Sequence, residues 1–533
     1  MAHFPIDVFQ FCLDFSNVLT VKNKESKTLL QYAIENGYGK IFNKILEKDV
    51  DVNVKDKENW TPLHIAMKRQ HAPLLFVKPL LEHGANVNEE GKNGQTALHL
   101  AVEKQHKMII KYLLDYGADA NCGDVNNVTS LHLAVEKENE EIIKMLLMKG
   151  ANINAQNGDL STPLHNATQY GNIAIVKLLL SQKADINAVN HIGFTPLHIA
   201  VSKGFSELVT CLIEHGADID AENEDGYTPL EMVIRLSRDN GILLEHNVIK
   251  LMIGKVKNIK PNVQTVGTNV LHLASQIGSY EIVKLILEEC PHLVNSSDSG
   301  ITPLHFAITR GDSKIIQLLI NNGALVTKAN EFKVTPLHTA CLVGRMNIVE
   351  LIVNHSNPID LDCKTSRGDT PLHNATEKGN SEVVEYLIEK GANVNAKNNS
   401  RNTPLLIAVT NGHTAIAKML IDHDCNLELK NKSGKTALEL AKGKGDKEII
   451  QLILKKQLKD WAPDRQQTRK RKHEEDCTIC CNPKEGLFAF LPCFHAIACE
   501  NCCFKICYDK DMSKNACPIC RKRVTGYQKI YVP

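Results

Sequence analysis

Hydrophobic residues in the first 457 positions come in short amphipathic bursts that repeat. Segments such as EIIKMLLMKGANIN (141–154) and EVVEYLIEKGANVN (382–395) set apolar residues at helical spacing and then reach a glycine, which predicts a helix and its stop. Ahead of each burst stands a Thr-Pro-Leu-His-type tetrapeptide. Its Thr, or the residue in that place, falls at Thr28, Thr61, Thr96, Thr129, Thr162, Thr195, Thr228, Asn269, Thr302, Thr335, Thr370, Thr403 and Thr436. The spacing is 33 residues, apart from two intervals of 35 (61 to 96, 335 to 370) and one of 41 (228 to 269). A fixed period of this size marks a stacked array, not a single core.

The tetrapeptide has a mechanical meaning. Thr is a good helix N-cap, and Pro at the next position is pre-set for helix and has no amide to leave unpaired. Leu faces the core, and a small residue two places after the His (Ala66, Ala101, Ala134) admits a close neighbour. Each unit therefore reads as helix–turn–helix with a projecting hairpin, and the fold class expected is an all-α solenoid. Nine histidines occupy the tetrapeptide (His64, His99, His132, His165, His198, His272, His305, His338, His373). One per repeat, a stacking distance apart, they are read as structural hydrogen-bonding groups and not as metal ligands. Two irregularities stand out. SRDNGILLEH (237–246) carries the roughly eight extra residues of the longest interval, a bulging loop or a break between sub-stacks, and Pro79 is expected to kink or delay its helix.

The residue before each Thr lies on the hairpin arm and varies, which makes it the expected place for partner contacts. Trp60, Phe194 and Tyr227 are the candidates there for substrate binding, because aromatic side chains dominate interface energetics. Packing against the neighbouring hairpin is the competing reading for all three.

Charge and cysteine content then divide the chain. The whole carries 62 Lys and Arg against 61 Asp and Glu, so net charge gives no case for nucleic acid, which is not an expected partner. No apolar run approaches a membrane span, and Asp7 and Asp14 interrupt the hydrophobic N-terminus, which does not read as a signal peptide. No membrane partner is expected and a cytoplasmic setting is. Seven cysteines are scattered before residue 457, whereas ten crowd between Cys477 and Cys520. Within that cluster Cys477, Cys480, Cys493, His495, Cys499, Cys502, Cys517 and Cys520 form four ligand pairs, the number that two tetrahedral zinc ions need. Sites filled by four protein ligands leave no place for a catalytic water, so two Zn²⁺ would be structural and would supply much of the folding free energy of so small a segment.

Two resemblances follow. Residues 5–457 resemble the ankyrin-repeat family through the period, the T-P-L-H-x-A motif and the Gly-Ala-Asn/Asp turn, with 5–20 as a partial N-terminal cap before about thirteen repeats (1–457 in all). That likeness implies a curved solenoid binding protein partners on its concave face and hairpin tips. Residues 477–524 resemble the RING finger of ubiquitin ligases. The family's cross-brace would place Cys477, Cys480, Cys499 and Cys502 on one ion and Cys493, His495, Cys517 and Cys520 on the other, with Cys481, Cys503 and Cys507 surplus. A RING domain has no nucleophile and acts by orienting a ubiquitin-conjugating enzyme charged with ubiquitin. The likeness carries the conjugating-enzyme contacts to Ile479, Leu491, Pro492 and Pro518, and the catalytic linchpin to Arg521, whose fork of donors suits a bridging task better than lysine.

The tail 525–533 (TGYQKIYVP) resembles that of C-terminal RINGs in inhibitor-of-apoptosis proteins, which implies a homodimer through RING and tail with Tyr531 reaching ubiquitin on the partner. Repeats followed by PCFHAIACENC also resemble the mind bomb class of ligases, whose further N-terminal domains are not expected here, so the likeness carries the repeat-plus-RING logic and not that class's substrates. Between the modules, 458–476 reads as a flexible basic linker in which Arg469–Lys472 (RKRK) resembles a nuclear-import signal. The sequence thus points to a RING-type E3 ubiquitin transferase selecting substrate with its repeats, the alternative being a non-enzymatic ankyrin scaffold with a structural zinc module.

Overall fold

The computed structural model describes residues 19–461 apart from 70–72, 240–242, 257–268, 298 and 356–358, together with 487–489 and 496–499. Among these residues twenty-six α-helices form thirteen consecutive pairs. Nine pairs lie in a first compact unit, residues 1–325, and four in a second, residues 326–533. Pro196–Lys203 with Ser206–Glu214 shows the common form. Thr195 caps the first helix in a capping box with His198, and Gly204 ends it at φ +74°, in the left-handed region that favours glycine. The second helix buries Leu208, Val209, Cys211 and Leu212.

Within each unit, the first helix of a pair packs on the first helix of the next, and second helices on second helices. The close approach is made possible by the small residue foreseen in the tetrapeptide: Ala66, Ala101, Ala134, Ala200, Ala274, Ala340 and Ala408 are all fully buried. The fully buried Leu98, Ile110 and Leu113 lie on one pair, Pro-free at its start, and show the same inward face.

Two further elements tie neighbours together. In the turn after the second helix an asparagine clips onto the following repeat. Asn121 donates from its side chain to the Gly150 carbonyl at 3.1 Å and accepts from the Asn152 amide; Asn88 does the same toward Gly117 and Asp119. At the hairpin tips a backbone ladder runs from repeat to repeat: Val125 donates to Asn93, Gly158 to Asn126, His191 to Asp159 and Glu224 to Ile192. Neither element depends on the apolar core, and both satisfy backbone groups that a loop would otherwise leave to water.

The irregular repeats resolve locally. The extra residues of the longest interval lengthen the first helix to Pro229–Asp239 and widen the connection to His246–Lys255, from the two residues of a regular pair to 240–245. They do not break the stack, because Pro196–Lys203, Pro229–Asp239 and Val270–Ile277 pack in succession. Leu244 is buried and the Glu245 amide donates to Ser206 Oγ at 3.0 Å, so the end of the insert folds back on the preceding pair. Leu74–Glu82 runs through Pro79 without interruption and starts two residues later, relative to its Thr, than its counterparts, so the delay lies ahead of the helix and Pro79 does not break it. The last helix, Lys447–Trp461, continues into the stretch expected to be linker, making 458–461 helical. Its sequence holds no breaker before Pro463, and the residue preceding a proline is where helices end. The N-terminal cap at 5–18, most of the linker and most of 477–533 lie outside the described residues.

One place in the hairpin carries strain. Leu160 sits there at φ +56°, as do Lys333 and Arg401 at +57° and +58°, where other repeats have Gly193, Gly226 or Asn127, and Leu160 is 46 % exposed. A left-handed conformation costs a bulky L-residue about 1–2 kcal/mol, which asparagine partly escapes. Leu160→Asn is expected to raise the urea midpoint by an amount equivalent to about 0.5–1 kcal/mol, and an unchanged or lower midpoint would show that Leu160 gains more from packing than it loses in its backbone.

Candidate functional site

The tetrapeptide histidines build a relay. Nδ1 faces the capping residue of its own helix, Thr or, for His272, Asn269, and in eight of the nine Nε2 is seen facing the backbone of the next repeat. For His165, the Thr162 amide donates to Nδ1 at 3.1 Å and Nε2 lies 3.0 Å from the Phe194 carbonyl. His64, His99, His132, His198, His338 and His373 repeat the arrangement toward Gln95, Val128, Ser161, Tyr227, Asp369 and Asn402. An amide can only donate, so Nδ1 must accept, and the proton sits on Nε2, where it is given to the carbonyl. These are the structural bonds expected from one histidine per repeat, with no metal geometry; among the described residues no group of His, Cys, Asp or Glu is placed to hold an ion.

The relay was only partly visible in the motif. Gln31 occupies the histidine place of the first pair and performs both tasks: its Oε1 accepts from the Thr28 amide and its Nε2 donates to Val54 and Trp60 carbonyls. Glu231 accepts from Thr228 but has no proton to pass on when ionised, and Leu406 has neither function. Burial pushes the Glu231 carboxyl upward.

The hairpin-arm aromatics separate on inspection. Trp60 is 5 % exposed, its indole against the His64 ring, its Nε1 donating to Glu58 and Lys68 lying over its face. It is therefore not an exposed contact residue: the ring packs on His64 and Lys68 of its own repeat and against Gly91 of the neighbouring hairpin. Phe194 is half-buried and stacked on His198. Tyr227 is half-buried beneath the Arg235 guanidinium, 3.9 Å from its centroid. Both keep part of their surface available on the arm.

Of the C-terminal site, the described residues hold two antiparallel strands, Leu487–Ala489 and Ala496–Cys499, paired Leu487 to Cys499, Phe488 to Ala498 and Ala489 to Ala496, with an irregularity between Phe488 and Ala489. Cys499 closes the return strand, and the connection between the strands carries Cys493 and His495 in sequence. The other sequence-predicted ligands (Cys477, Cys480, Cys493, His495, Cys502, Cys517, Cys520) lie outside the described residues, as do Ile479, Leu491, Pro492, Pro518, Arg521 and Tyr531. The donor set suits zinc: seven thiols and one imidazole are soft to borderline ligands in a number that fills two tetrahedra. By contrast the described thiols of the repeats are all free and scattered.

Comparison with known proteins gives the same division. Ankyrin-repeat profiles match residues 4–90, 30–124, 73–157, 118–190, 164–244, 240–330 and 324–398, and a further ankyrin profile matches 387–441. Residues 473–527 match the zinc finger of C3HC4 type, the RING finger. An apoptosis inhibitor, IAP, of Cydia pomonella granulosis virus is 37 % identical over 59 residues, which are 11 % of this chain and 18 % of that protein. The alignment therefore spans less than a fifth of the relative.

The relay makes stability depend on acid. Burial lowers the pKa of His64, to about 4, and in the same direction that of His99, His132, His165, His198, His338 and His373. The folded chain thus holds these rings neutral where the unfolded chain, at about 6.5, begins to protonate them. Stability is full well above the unfolded value and is lost as pH falls through it, down to about 4 for His64 and over a window of the same sign for the other rings, by about 1.4 kcal/mol per pH unit for a ring protonated only in the unfolded chain. His198→Gln, which installs at this position the amide that Gln31 uses in the first pair, should keep both bonds and flatten the slope of urea midpoint against pH. An unaltered slope would mean that the ring does not titrate between the two states.

Proposed function

Because this chain belongs to the ankyrin-repeat family and ends in a C3HC4 RING finger, we propose that it is a RING-type E3 ubiquitin ligase whose repeats hold a protein substrate. The observation that carries the reading is the coexistence of a protein-binding stack with a RING segment whose eight ligands are all present in order. Cys477, Cys480, Cys499 and Cys502 would hold one Zn²⁺, and Cys493, His495, Cys517 and Cys520 the other. Zinc would supply folding free energy, about 10 kcal/mol or more per ion, and no reactive centre.

On that scaffold Ile479, Leu491, Pro492 and Pro518 form the docking face for a ubiquitin-conjugating enzyme. Arg521 donates hydrogen bonds toward the enzyme-bound ubiquitin and restrains it near the attacking lysine. Rate is gained by orientation, since the thioester on the conjugating enzyme already carries the chemical potential. Phe194 and Tyr227 stand as substrate contacts on the repeats. A homodimer through the RING and tail would bring Tyr531 of one copy to ubiquitin held by the other.

Self-ubiquitination reconstituted with a panel of conjugating enzymes tests the reading. Wild type is expected to form conjugates, Ile479→Ala to lose them by weakened docking, and Arg521→Ala to slow discharge at least tenfold while docking is retained. Elemental analysis is expected to give two zinc atoms per chain and none after Cys477→Ser/Cys517→Ser. Absence of conjugates across the panel with zinc in place would leave a scaffold with a structural zinc module.

A further inference from the structure

The hairpin tips of the second unit carry a charge pattern that the linear sequence disperses. Residues 363–369, 396–402 and 429–435 are the tips of three successive repeats, and in them seven Lys and Arg face a single acid, Asp369. Arg367, Lys397, Arg401, Lys430, Lys432 and Lys435 are exposed, and none is drawn into an ion pair among the described residues. Asp369 is half-buried and accepts from Asn398 at 2.7 Å, and one carboxylate against seven cations leaves the tips strongly positive. The contrast within the chain is sharp: the corresponding tip at 221–227 in the first unit has three acids and no base.

These tips form one continuous ridge. The Ser366 amide donates to the Phe332 carbonyl at 2.8 Å, Asn399 to Arg367 at 2.9 Å and Lys432 to Ser400 at 2.9 Å. The backbone is therefore satisfied internally, and recognition is left to the side chains. At its start the ridge meets a cleft of about 160 Å³ lined by Phe332, Leu342, His338 and Arg367, in which Phe332 is 65 % and Leu342 41 % exposed. Glu377 and Asp369 also border the cleft.

We propose that this ridge binds an extended acidic segment of a protein partner, with an apolar residue seated against Phe332 and Leu342. Stacked helices repeat every 8–10 Å, and an extended strand rises about 3.3 Å per residue, so a carboxylate at every third position meets a new tip in register. Single-stranded nucleic acid would call for successive aromatic platforms, and the three tips hold no aromatic residue, Phe332 standing on the tip before them. The inference deepens the functional reading by giving the substrate a chemical class, and it rests on that reading only in treating the repeats as the client-binding part. Its test involves no ubiquitin transfer, so either can fail without the other.

The full chain is titrated into a fluorescein-labelled 16-residue peptide that has one N-terminal Leu and Glu at every third position in a Ser/Thr background. The same peptide with Gln for Glu, and a 20-nucleotide oligo(dT), serve as comparisons. Anisotropy is expected to show the Glu peptide binding at least tenfold tighter than the Gln peptide, weakening as salt rises from 50 to 300 mM. R367E/R401E/K432E should lose at least tenfold, whereas K418E/K447E/K455E, the same charge change on the second helices, should stay within twofold. Phe332→Ala should weaken the Leu-bearing peptide and not one beginning with Ser. Equal affinity for the Glu and Gln peptides, or equal loss with both triple variants, overturns the proposal, as does tighter binding of oligo(dT) that the ridge variant abolishes. Should the ridge variant fail to fold, the Glu-against-Gln comparison on wild type still decides.

Discussion

A single hydrogen-bonded bridge, from a capping threonine through a neutral imidazole to the backbone of the following repeat, holds the relative position of neighbouring helix pairs. Its two ends have opposite demands. Nδ1 must accept from the Thr amide and Nε2 must donate to a carbonyl, so only one tautomer of one protonation state fits. Apolar packing gives most of the free energy of the stack but little direction. The bridge supplies direction, and the asparagine clips and tip ladder repeat that service at two other levels of each unit. The projecting tips are thereby held on a fixed frame while their side chains vary.

That separation of frame from cargo explains what could be read from the sequence. Period, caps and buried alanines are dictated by backbone geometry and close packing, and these are legible residue by residue. The structural role of the histidines followed from their spacing, but their second partner did not, because the carbonyl that receives each Nε2–H lies about thirty residues away and is no side chain at all. Trp60 shows a different limit. Its arm position is shared with Phe194 and Tyr227, and whether a ring there turns outward depends on what surrounds it, in this case on His64 and Lys68.

The boundary at the C-terminal side was set by a local rule overriding a compositional one. Polar composition changes near residue 458, yet the helix persists to Trp461 because only a proline, two residues further, opposes it. The RING segment lies at the other extreme: seven cysteines and a histidine in fixed order are read as a zinc-binding set from the sequence alone. The basic ridge was invisible for the converse reason. Its charges are spaced by the repeat and never form a run, whereas the contiguous Arg469–Lys472 is conspicuous in the chain.

Leu406, which replaces the imidazole in the repeat begun by Thr403, has a consequence for motion. His373 is the last tetrapeptide histidine to reach across to its neighbour, at Asn402; beyond it the closing repeat is retained by apolar contact, the tip ladder, and exposed side-chain bonds from Lys444 to the Thr410 carbonyl, Lys456 to Asp424 and Gln457 to Glu428. In an array whose cohesion is a sum of nearest-neighbour terms, the weakest junction sets where cooperativity ends. Hydrogen exchange would accordingly begin at the final repeat, so that the element joined to the zinc-binding segment breathes on its own clock while the stack before it stays closed.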